Sequence, residues 1–311
     1  MGYTLCVLGC GTMGIAVLSG VLASLDSKPT SAHHPKWESH TSGTVTPQVL
    51  EDESLPSRFI ACVSREESAK KLSSTFFHAG ALGRSVEISC ARNVQAVQQA
   101  NVVLLGCKPQ LASTILSEPG MKEALEGKLL ISILAGVTIA QLQAMVGSST
   151  KVVRAMPNTP CKIREGMTVV STLPPSDALE LERSIILNIF SSIGRCRFLE
   201  EKHFDACTAL SGSGPAFACI FLEAMADGGV MMGLPRAEAL ELAAQTLQGT
   251  ARMTLQAGTH PAQLKDAVTT PGGCTIAGLL AMEDGRVRST IARAIQVATE
   301  RASQLGQPAK K

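Results

Sequence analysis

The sequence has few aromatic residues, few charges and no run of basic residues. It contains one Trp, one Tyr and eight Phe, and charged residues make up 17% of its 311 positions, with a formal net charge of +2. Proteins that bind nucleic acid or anionic membrane surfaces usually carry clustered Lys and Arg. The scattered charges of this chain therefore argue against both kinds of partner.

Signals for export, membrane insertion and metal binding are also missing. The N-terminus enters a strand pattern at Tyr3 without a basic n-region or a cleavage site. No apolar stretch reaches the roughly 18 to 20 residues of a membrane span. The ten Cys form no C-x-x-C pair and have no His at ligand spacing, which argues against zinc and is typical of small buried thiols in a reducing compartment. We therefore expect a cytoplasmic protein without a bound metal.

Two regions with different periodicity follow each other along the chain. In the first half, short apolar strands alternate with helical segments, which predicts βαβ units and a parallel sheet. After Pro175 helical periodicity predominates. The fold class is therefore α/β, with an N-terminal Rossmann-type parallel-sheet domain over residues 1–173 and an all-helical C-terminal domain over residues 174–311. The predicted strands are Leu5–Gly9, Phe59–Ser64, Val102–Gly106, Leu129–Leu134, Lys151–Met156 and a further one at Thr168–Thr172.

One segment does not fit the alternation. Residues 26–57 are rich in Ser, Thr, Pro and His and show little periodicity. Such composition is typical of exposed connections rather than packed elements. We predict a surface insertion between the first helix and the second strand.

A glycine pattern, Gly9-Cys-Gly11-Thr-Met-Gly14, lies where the first strand meets the first helix. At such a junction the glycines permit a tight turn, let backbone amides approach a pyrophosphate, and allow close packing of helix on strand. The six-residue pattern alone is common in turns. Its place after the first strand predicts a dinucleotide site.

The end of the second strand bears on the choice of cofactor. NAD sites usually place Asp or Glu there to accept a hydrogen bond from the ribose 2′-hydroxyl. This chain has Ser64 and Arg65 instead, and a guanidinium suits a 2′-phosphate. Glu66 and Glu67 come next, so the pattern favours NADPH without excluding NADH. An ordinary solvated role for Arg65 also stays open.

A third pattern, Thr269-Thr-Pro-Gly-Gly-Cys-Thr275, precedes a helical run. A Pro-Gly-Gly turn at a helix start offers free N–H groups and the positive end of the helix dipole, which can hold a carboxylate. Thr275 either caps this helix or donates a hydrogen bond into a site. Lys108, after the strand that ends at Gly106, either meets the cofactor or is solvated.

Taken together, these patterns resemble the pyrroline-5-carboxylate reductase family along nearly the whole chain. The glycine loop is shared by many dehydrogenases, whereas the Ser-Gly-Ser-Gly-Pro-Ala and Thr-Thr-Pro-Gly-Gly-Cys-Thr segments, in this order, are far more specific. The motifs that carry the resemblance are Gly9–Gly14, Cys107–Pro109, Ala135–Thr138, Arg154–Pro160, Leu210–Phe217, Asp227–Arg236 and Gln263–Gly278.

The resemblance implies NADPH-dependent reduction of 1-pyrroline-5-carboxylate to L-proline, the final step of proline biosynthesis, with NADH as a less favoured donor. It implies homo-oligomers, namely dimers with interlocked helical domains assembled further into a ring. By periodicity alone, the Ala- and Gly-rich helix Gly214–Met232 equally fits the core of a monomer. The cofactor residues that it implies are Gly9, Cys10, Gly11, Thr12, Met13, Gly14, Ser64, Arg65, Asn93, Gly106, Cys107, Lys108, Pro109, Ile133, Leu134 and Ala135. The implied substrate residues are Glu201, Thr270, Gly272, Gly273, Cys274 and Thr275, with the Thr275 hydroxyl as the catalytic group that hydrogen-bonds the imine nitrogen.

Two other functions are also compatible with these sequence patterns. A β-hydroxyacid dehydrogenase-like enzyme would share both domains but rely on a lysine as acid and base. Lys202 and Lys265 are available, although neither lies in the motif of those enzymes. A non-catalytic NADPH-binding sensor is the second alternative.

Overall fold

An eight-stranded sheet forms the centre of the N-terminal region in the computed structural model, which describes residues 2–27, 52–173 and 179–305. The strand order is β3-β2-β1-β4-β5-β6-β7-β8, parallel from β3 through β6. β7 runs antiparallel to β6 and parallel to β8. The strands are β1 (Tyr3–Leu8), β2 (Pro56–Val63), β3 (Glu87–Cys90), β4 (Val102–Leu105), β5 (Leu129–Ser132), β6 (Lys151–Met156), β7 (Gly166–Ser171) and β8 (Gly194–Leu199).

Helices cover both faces of this sheet, so its central strands are buried on both sides. In β1, Leu5 and Val7 face one apolar core, and Cys6 and Leu8 face the other. Strands buried in this way read as continuous apolar runs, which is why β1 and β4 stand out in the sequence. The helices of this region are α1 (Thr12–Asp26), α2 (Glu66–Phe77), α3 (Gly80–Arg84), α4 (Asn93–Gln98), α5 (Ala112–Leu116), α6 (Met121–Ala124), α7 (Ile139–Met145), α8 (Glu180–Ser191) and α9 (Phe204–Cys207).

The predicted α/β class is confirmed, and all six predicted strands are present. Two further strands, β3 and β8, had no clear sequence signal. Both lie at the edges of the sheet, where strands are short or carry charges that discourage pairing with another chain. The sequence of β8, with Arg195 and Arg197 alternating, is an example. The sheet therefore continues beyond residue 173, and β8 interrupts the helices predicted after Pro175.

The predicted insertion is described only at its two ends. α1 ends at Asp26, and the chain returns through a single 3₁₀ turn at Asp52–Ser54. Asn188 of α8 donates hydrogen bonds to the carbonyl oxygen (3.1 Å) and the hydroxyl (3.0 Å) of Ser54. Residues 28–51, with most of the predicted insertion, lie outside the described residues.

The chain divides into two compact units, one up to Gly212 and from Glu300 on, the other Ser213–Thr299. The second unit is helical, as predicted. It holds α10 (Gly214–Met231), α11 (Arg236–Ala257), α12 (Pro261–Ala267), α13 (Cys274–Asp284) and most of α14 (Val287–Leu305). At Gly229 of α10, an added Cβ would lie 3.2 Å from the Cβ of Ala239, so the small residues of α10 and α11 pack closely.

Many large apolar side chains of the helical unit are exposed in the single chain, among them Met231 at 80% and Ile220 at 65%. Within the described ranges, one helical run, Glu201–Met231, is long and apolar enough to cross a membrane, with a mean hydropathy of 1.3 over 18 residues. We expected no apolar stretch as long as a membrane span. By length and composition alone, Glu201–Met231 contradicts that expectation. Only 11% of the window is buried within the chain.

Candidate active site

The loops that follow β1 and β4 meet at the carboxyl edge of the sheet, and they approach each other closely at Gly9. Gly9 has a left-handed backbone, with φ of 77°. A Cβ added there would lie 2.7 Å from both the Cα and the N of Cys107. Gly106 N donates to Leu8 O at 2.8 Å, which holds the two loops together. Only glycine meets both requirements at position 9.

The start of α1 is open to a ligand. Gly11 is the N-cap residue and supplies no side-chain cap, so the first amides of the helix have no acceptor of their own. A Cβ at Gly11 would have a single neighbour, Gly9 O at 4.0 Å, and the first turn of α1 contains no acidic residue. Gly11 and Thr12 are exposed, and Met13 is half-buried. Free amides, an open approach and a positive helix end fit a pyrophosphate.

Two thiols in these loops are held neutral. Burial raises the pKa of Cys10 to about 12 and that of Cys107 to about 11. Neither adds negative charge beside the proposed pyrophosphate site at neutral pH. They act as small, uncharged lining groups rather than as nucleophiles, because the thiolate is the reactive form.

The ends of β2 and β3 present polar side chains at the same edge. Ser64 and Arg65 follow β2 and are exposed, and in the described part of the chain neither side chain has a hydrogen-bond or ion-pair partner. The glutamates Glu66 and Glu67 occupy the first turn of α2. Asn93 begins α4, and its Nδ2 donates to Glu118 Oε1 at 2.7 Å. One face of the Asn93 amide is therefore already engaged.

The loops after β4 and β5 adjoin the glycine loop. A Cβ at Gly106 would lie 3.3 Å from both Gly9 O and Ile133 Cδ1. Ile133 N donates to Leu105 O at 3.0 Å, which continues the pairing of β4 and β5 to their ends. Lys108 is exposed, Pro109 and Ile133 are half-buried, and Leu134 is buried in the core. The structure thus brings the predicted cofactor residues that follow β1, β4 and β5 together.

The predicted carboxylate-binding turn lies in the helical unit, between α12 and α13. Gly273 N donates to Thr270 O at 3.1 Å, and Gly272 is left-handed with φ of 69°. Gly273, not Thr275, is the N-cap residue of α13, and no side chain caps this helix. The capping alternative for Thr275 is therefore wrong. Thr275 is half-buried in the first turn, and its hydroxyl has no partner within the described ranges, so it can donate to a ligand.

Glu201 belongs to the other unit, where its carboxylate is tied into the protein. Its Oε1 accepts a hydrogen bond from Ile139 N at 2.8 Å and one from Arg154 Nη1 at 3.2 Å. The Arg154 side chain is 5% exposed, whereas that of Glu201 is 32% exposed. The sequence patterns gave no role to Arg154. The sequence does contain a clue to this residue, because Arg154 is a charge inside the apolar strand segment Val-Val-Arg-Ala. Buried charges of this kind are almost always paired.

Two further observations concern metal-ligating residues and the two candidate lysines. No cluster of three or more His, Cys, Asp or Glu that could hold a metal occurs among the described residues. Both lysines considered as acid–base groups carry ion pairs to near neighbours, Lys202 with Glu200 at 2.7 Å and Lys265 with Asp266 at 2.9 Å.

Comparison with known proteins identifies similar families for both regions of the chain. Residues 201–305 match the family description "Pyrroline-5-carboxylate reductase dimerisation", and residues 42–136 match "NADP oxidoreductase coenzyme F420-dependent". The chain is 50% identical to a pyrroline-5-carboxylate reductase of Lophium arboricola, over 97% of this chain and 93% of that one. It is 46% identical to that of Schizosaccharomyces pombe, over 97% and 98% of the two chains.

Solved structures agree with these relatives. The NADP-bound pyrroline carboxylate reductase of Plasmodium falciparum has a TM-score of 0.73 at 27% identity and covers 98% of both chains. The enzyme of Coxiella burnetii has a TM-score of 0.77 at 26% identity, over 98% and 99% of the two chains. With a Rossmann-type sheet, an open glycine loop and relatives of up to 50% identity over nearly its whole length, this chain belongs to the pyrroline-5-carboxylate reductase family.

Proposed function

We propose that this protein reduces 1-pyrroline-5-carboxylate to L-proline with NADPH. Family membership supports the choice of substrate. The open glycine loop supports the class of cofactor, because its free amides and lack of nearby acid suit a pyrophosphate. The residues implied by the resemblance remain our assignment of the site.

The reaction adds a hydride to the imine carbon and leaves two bonds to hydrogen in place of one C=N π bond. When bound, NADPH supplies that hydride and becomes NADP⁺. The electron pair of the π bond moves to nitrogen, which carries a proton from solution. A protonated imine accepts hydride most readily, so the protein's task is to hold the ring and favour its charge.

Thr275 is the proposed contact to the nitrogen. An unperturbed threonine is a poor acid, so its hydroxyl orients the ring nitrogen or relays a proton rather than acting as a strong general acid. The amides of Gly273, Cys274 and Thr275 at the start of α13 are the proposed donors to the substrate carboxylate. Thr270 and Gly272 shape the turn that presents them.

NADPH is favoured over NADH by the end of β2. The Arg65 guanidinium, unpaired within the described residues, offers a fork of donors that matches a phosphate. Ser64 adds a hydroxyl beside it. In NAD sites an acidic residue at this point accepts a hydrogen bond from the ribose 2′-hydroxyl. This chain has Ser64 and Arg65 there instead.

We also propose that the exposed apolar face of the helical unit is buried between copies of this chain, in dimers that assemble further into a ring. Residues 201–305 match a dimerisation family, and this range contains the whole apolar run Glu201–Met231. Glu223 and Asp227 lie within that run, and Asp227 pairs with Arg236 at 2.5 Å. Charged groups inside a span are expensive in lipid, so burial against protein is the better account. Light scattering should give a multiple of the 32.6 kDa chain mass; a monomer at working concentration contradicts the proposal.

We also propose that the protein is cytoplasmic and binds no nucleic acid, because its charges are scattered and its Cys, with no C-x-x-C pair, suit a reducing compartment. Cell fractionation tests the location: activity in a membrane or organelle fraction contradicts it.

The enzyme activity is tested by following NADPH oxidation at about 340 nm with 1-pyrroline-5-carboxylate. Proline must be identified as the product, and NADH run in parallel. Turnover to proline is expected. A folded, NADPH-binding protein without turnover contradicts the reaction, and activity on β-hydroxyacids instead would indicate the dehydrogenase alternative.

A further inference from the structure

A buried arginine in β6 has no role in the site as proposed so far. The Arg154 side chain is 5% exposed, and its neighbours along the strand, Val153 and Ala155, are core residues. Its Cζ lies 4.8 Å from the ring centroid of Phe204, so the guanidinium has an aromatic neighbour as well as an anionic one. Burying a guanidinium is costly unless a carboxylate and good geometry offset the lost hydration. A position chosen only for packing would hold an apolar residue.

The carboxylate that pairs with Arg154 joins three separate segments. Glu201 Oε1 is 3.2 Å from Arg154 Nη1 in β6 and 2.8 Å from Ile139 N at the start of α7. α7 begins with a capping box in which Thr138 and Gln141 exchange hydrogen bonds, so Ile139 N has a fixed position. The loop from Ile133 to Thr138 connects this helix start to β5 and to the proposed cofactor path.

One oxygen of Glu201 is left available by this arrangement. Both hydrogen bonds to the carboxylate use Oε1, and within the described ranges Oε2 has no partner. The side chain is 32% exposed. The carboxylate is thus held by one oxygen and can present the other to a ligand.

We propose that Arg154 is a positioning residue of the reductase, which fixes the Glu201 carboxylate so that its free oxygen is presented to the substrate. The inference rests on the proposed function and on the proposed place of Glu201 at the substrate. A fixed carboxylate at the substrate favours the protonated imine, the form that accepts hydride, because opposite charges attract strongly where water is partly excluded. Arg154 does not touch the substrate; it sets the position of the group that does.

Arginine suits this task better than lysine. The planar guanidinium can stack on Phe204 and donate to Glu201 at the same time, whereas an ammonium is a compact, more strongly hydrated charge. Arg154→Lys should therefore restore the charge but only part of the geometry. Arg154→Met keeps much of the apolar volume and removes the charge.

The test measures kcat, KM for 1-pyrroline-5-carboxylate and the Kd for NADPH in Arg154→Met, Arg154→Lys, Glu201→Gln and the Arg154→Met/Glu201→Gln double variant. We expect Arg154→Met to lower kcat/KM for the substrate by about tenfold to hundredfold, since small misplacement of a reacting partner has effects of this size. The Kd for NADPH should stay within about twofold. The double variant should be no worse than the worse single variant, because both changes remove one unit. Arg154→Lys should fall between wild type and Arg154→Met.

Arg58→Met is the matched control. Arg58 also lies in a strand and also pairs with a glutamate, with its Nε and Nη2 at 2.6 and 2.8 Å from the Glu87 oxygens. It is near the amino end of β2, away from the loops of the site. Its kinetic constants should equal those of wild type.

Three results overturn the role of Arg154: unchanged substrate kcat/KM in Arg154→Met, an equal loss of NADPH affinity, or effects of the two single changes that add in the double variant. If Arg154→Met does not fold, the kinetic constants of Arg154→Lys and Glu201→Gln are used to test the role of Arg154 instead. A substrate-specific loss in both supports the proposal, and unchanged substrate kcat/KM in Arg154→Lys overturns it. Wild-type turnover is measured first. If the wild type does not reduce 1-pyrroline-5-carboxylate, both the proposed function and the role of Arg154 are contradicted. If the wild type is active and Arg154→Met is equally active, only the role of Arg154 is contradicted.

Discussion

Replacing Gly9 and Gly11 separately by alanine should damage different properties of the protein. Gly9 has φ of 77°, and an added Cβ would lie 2.7 Å from the Cα and N of Cys107. Gly11 has φ of −84°, and its added Cβ would meet only Gly9 O at 4.0 Å. The first change therefore conflicts with the protein backbone. The second leaves the fold intact and places a methyl group where a pyrophosphate should approach.

The magnitudes follow from these contacts. Alanine in the left-handed region costs about 1–2 kcal/mol. Overpacking typically adds about 1–3 kcal/mol, and here the opposing atoms are backbone of the loop after β4, which cannot rotate away. Gly9→Ala should thus lower the free energy of unfolding by about 2–5 kcal/mol, or the Tm by about 4 to 15 °C. For Gly11→Ala the loss should stay below about 1 kcal/mol, since alanine is only a poorer N-cap.

Thermal unfolding without ligand, together with calorimetric titration of NADPH, separates the two effects. Gly11→Ala should keep the Tm of the wild type within about 2 °C and weaken NADPH binding at least about tenfold, which is about 1.4 kcal/mol. A Gly9→Ala protein with the Tm of the wild type would refute the close approach of the loops. Undiminished NADPH affinity in Gly11→Ala would refute the pyrophosphate site.

Three further predictions concern chemistry at single side chains. Thr275→Val keeps the shape of the residue and removes the hydroxyl, so kcat should fall at least about tenfold while the Kd for NADPH is unchanged; equal kcat in steady-state assays would contradict the assigned role. Arg65→Gln should reduce the ratio of kcat/KM for NADPH over NADH by about tenfold or more, because hydrogen bonds to charged groups contribute about 1.5–3 kcal/mol; an unchanged ratio would show that Arg65 is an ordinary solvated residue. Because burial raises the pKa of Cys10 to about 12, iodoacetamide at about pH 7.5 should alkylate this thiol only after unfolding, and rapid labelling in the native protein, read by peptide mass spectrometry, would be inconsistent with its burial.

Most of the fold could be predicted where local pattern and tertiary environment agree. The strands β1 and β4 are apolar on both faces because helices cover both sides of the sheet, and a continuous apolar run is a local signal. The edge strand β8 combines Arg195 and Arg197 with Cys196 and Phe198, and only its pairing with β7 identifies it as part of the sheet. Edge strands depend on a single neighbour, so their own sequences are weakly constrained.

The candidate site divides in the same way. The glycine loop could be located from sequence because its spacing and its place directly after an apolar strand are local signals, although the approach of Gly9 to Cys107 is seen only in the structure. The Pro-Gly-Gly turn before α13 is a local signal of the same kind. Only the structure excluded the capping alternative for Thr275, because it shows that Gly273, two residues earlier, is the N-cap residue of α13.

The sequence by itself therefore determined the elements whose physics is local: the buried strands, the glycine turn at the start of α1, and the helical character of the second unit. The tertiary structure alone decided which distant groups meet. Arg154 and Glu201 are 47 positions apart, and Glu201 and Ile139 are 62 apart. No periodicity links such residues, because a buried charge selects its partner by position in space and not by distance along the chain.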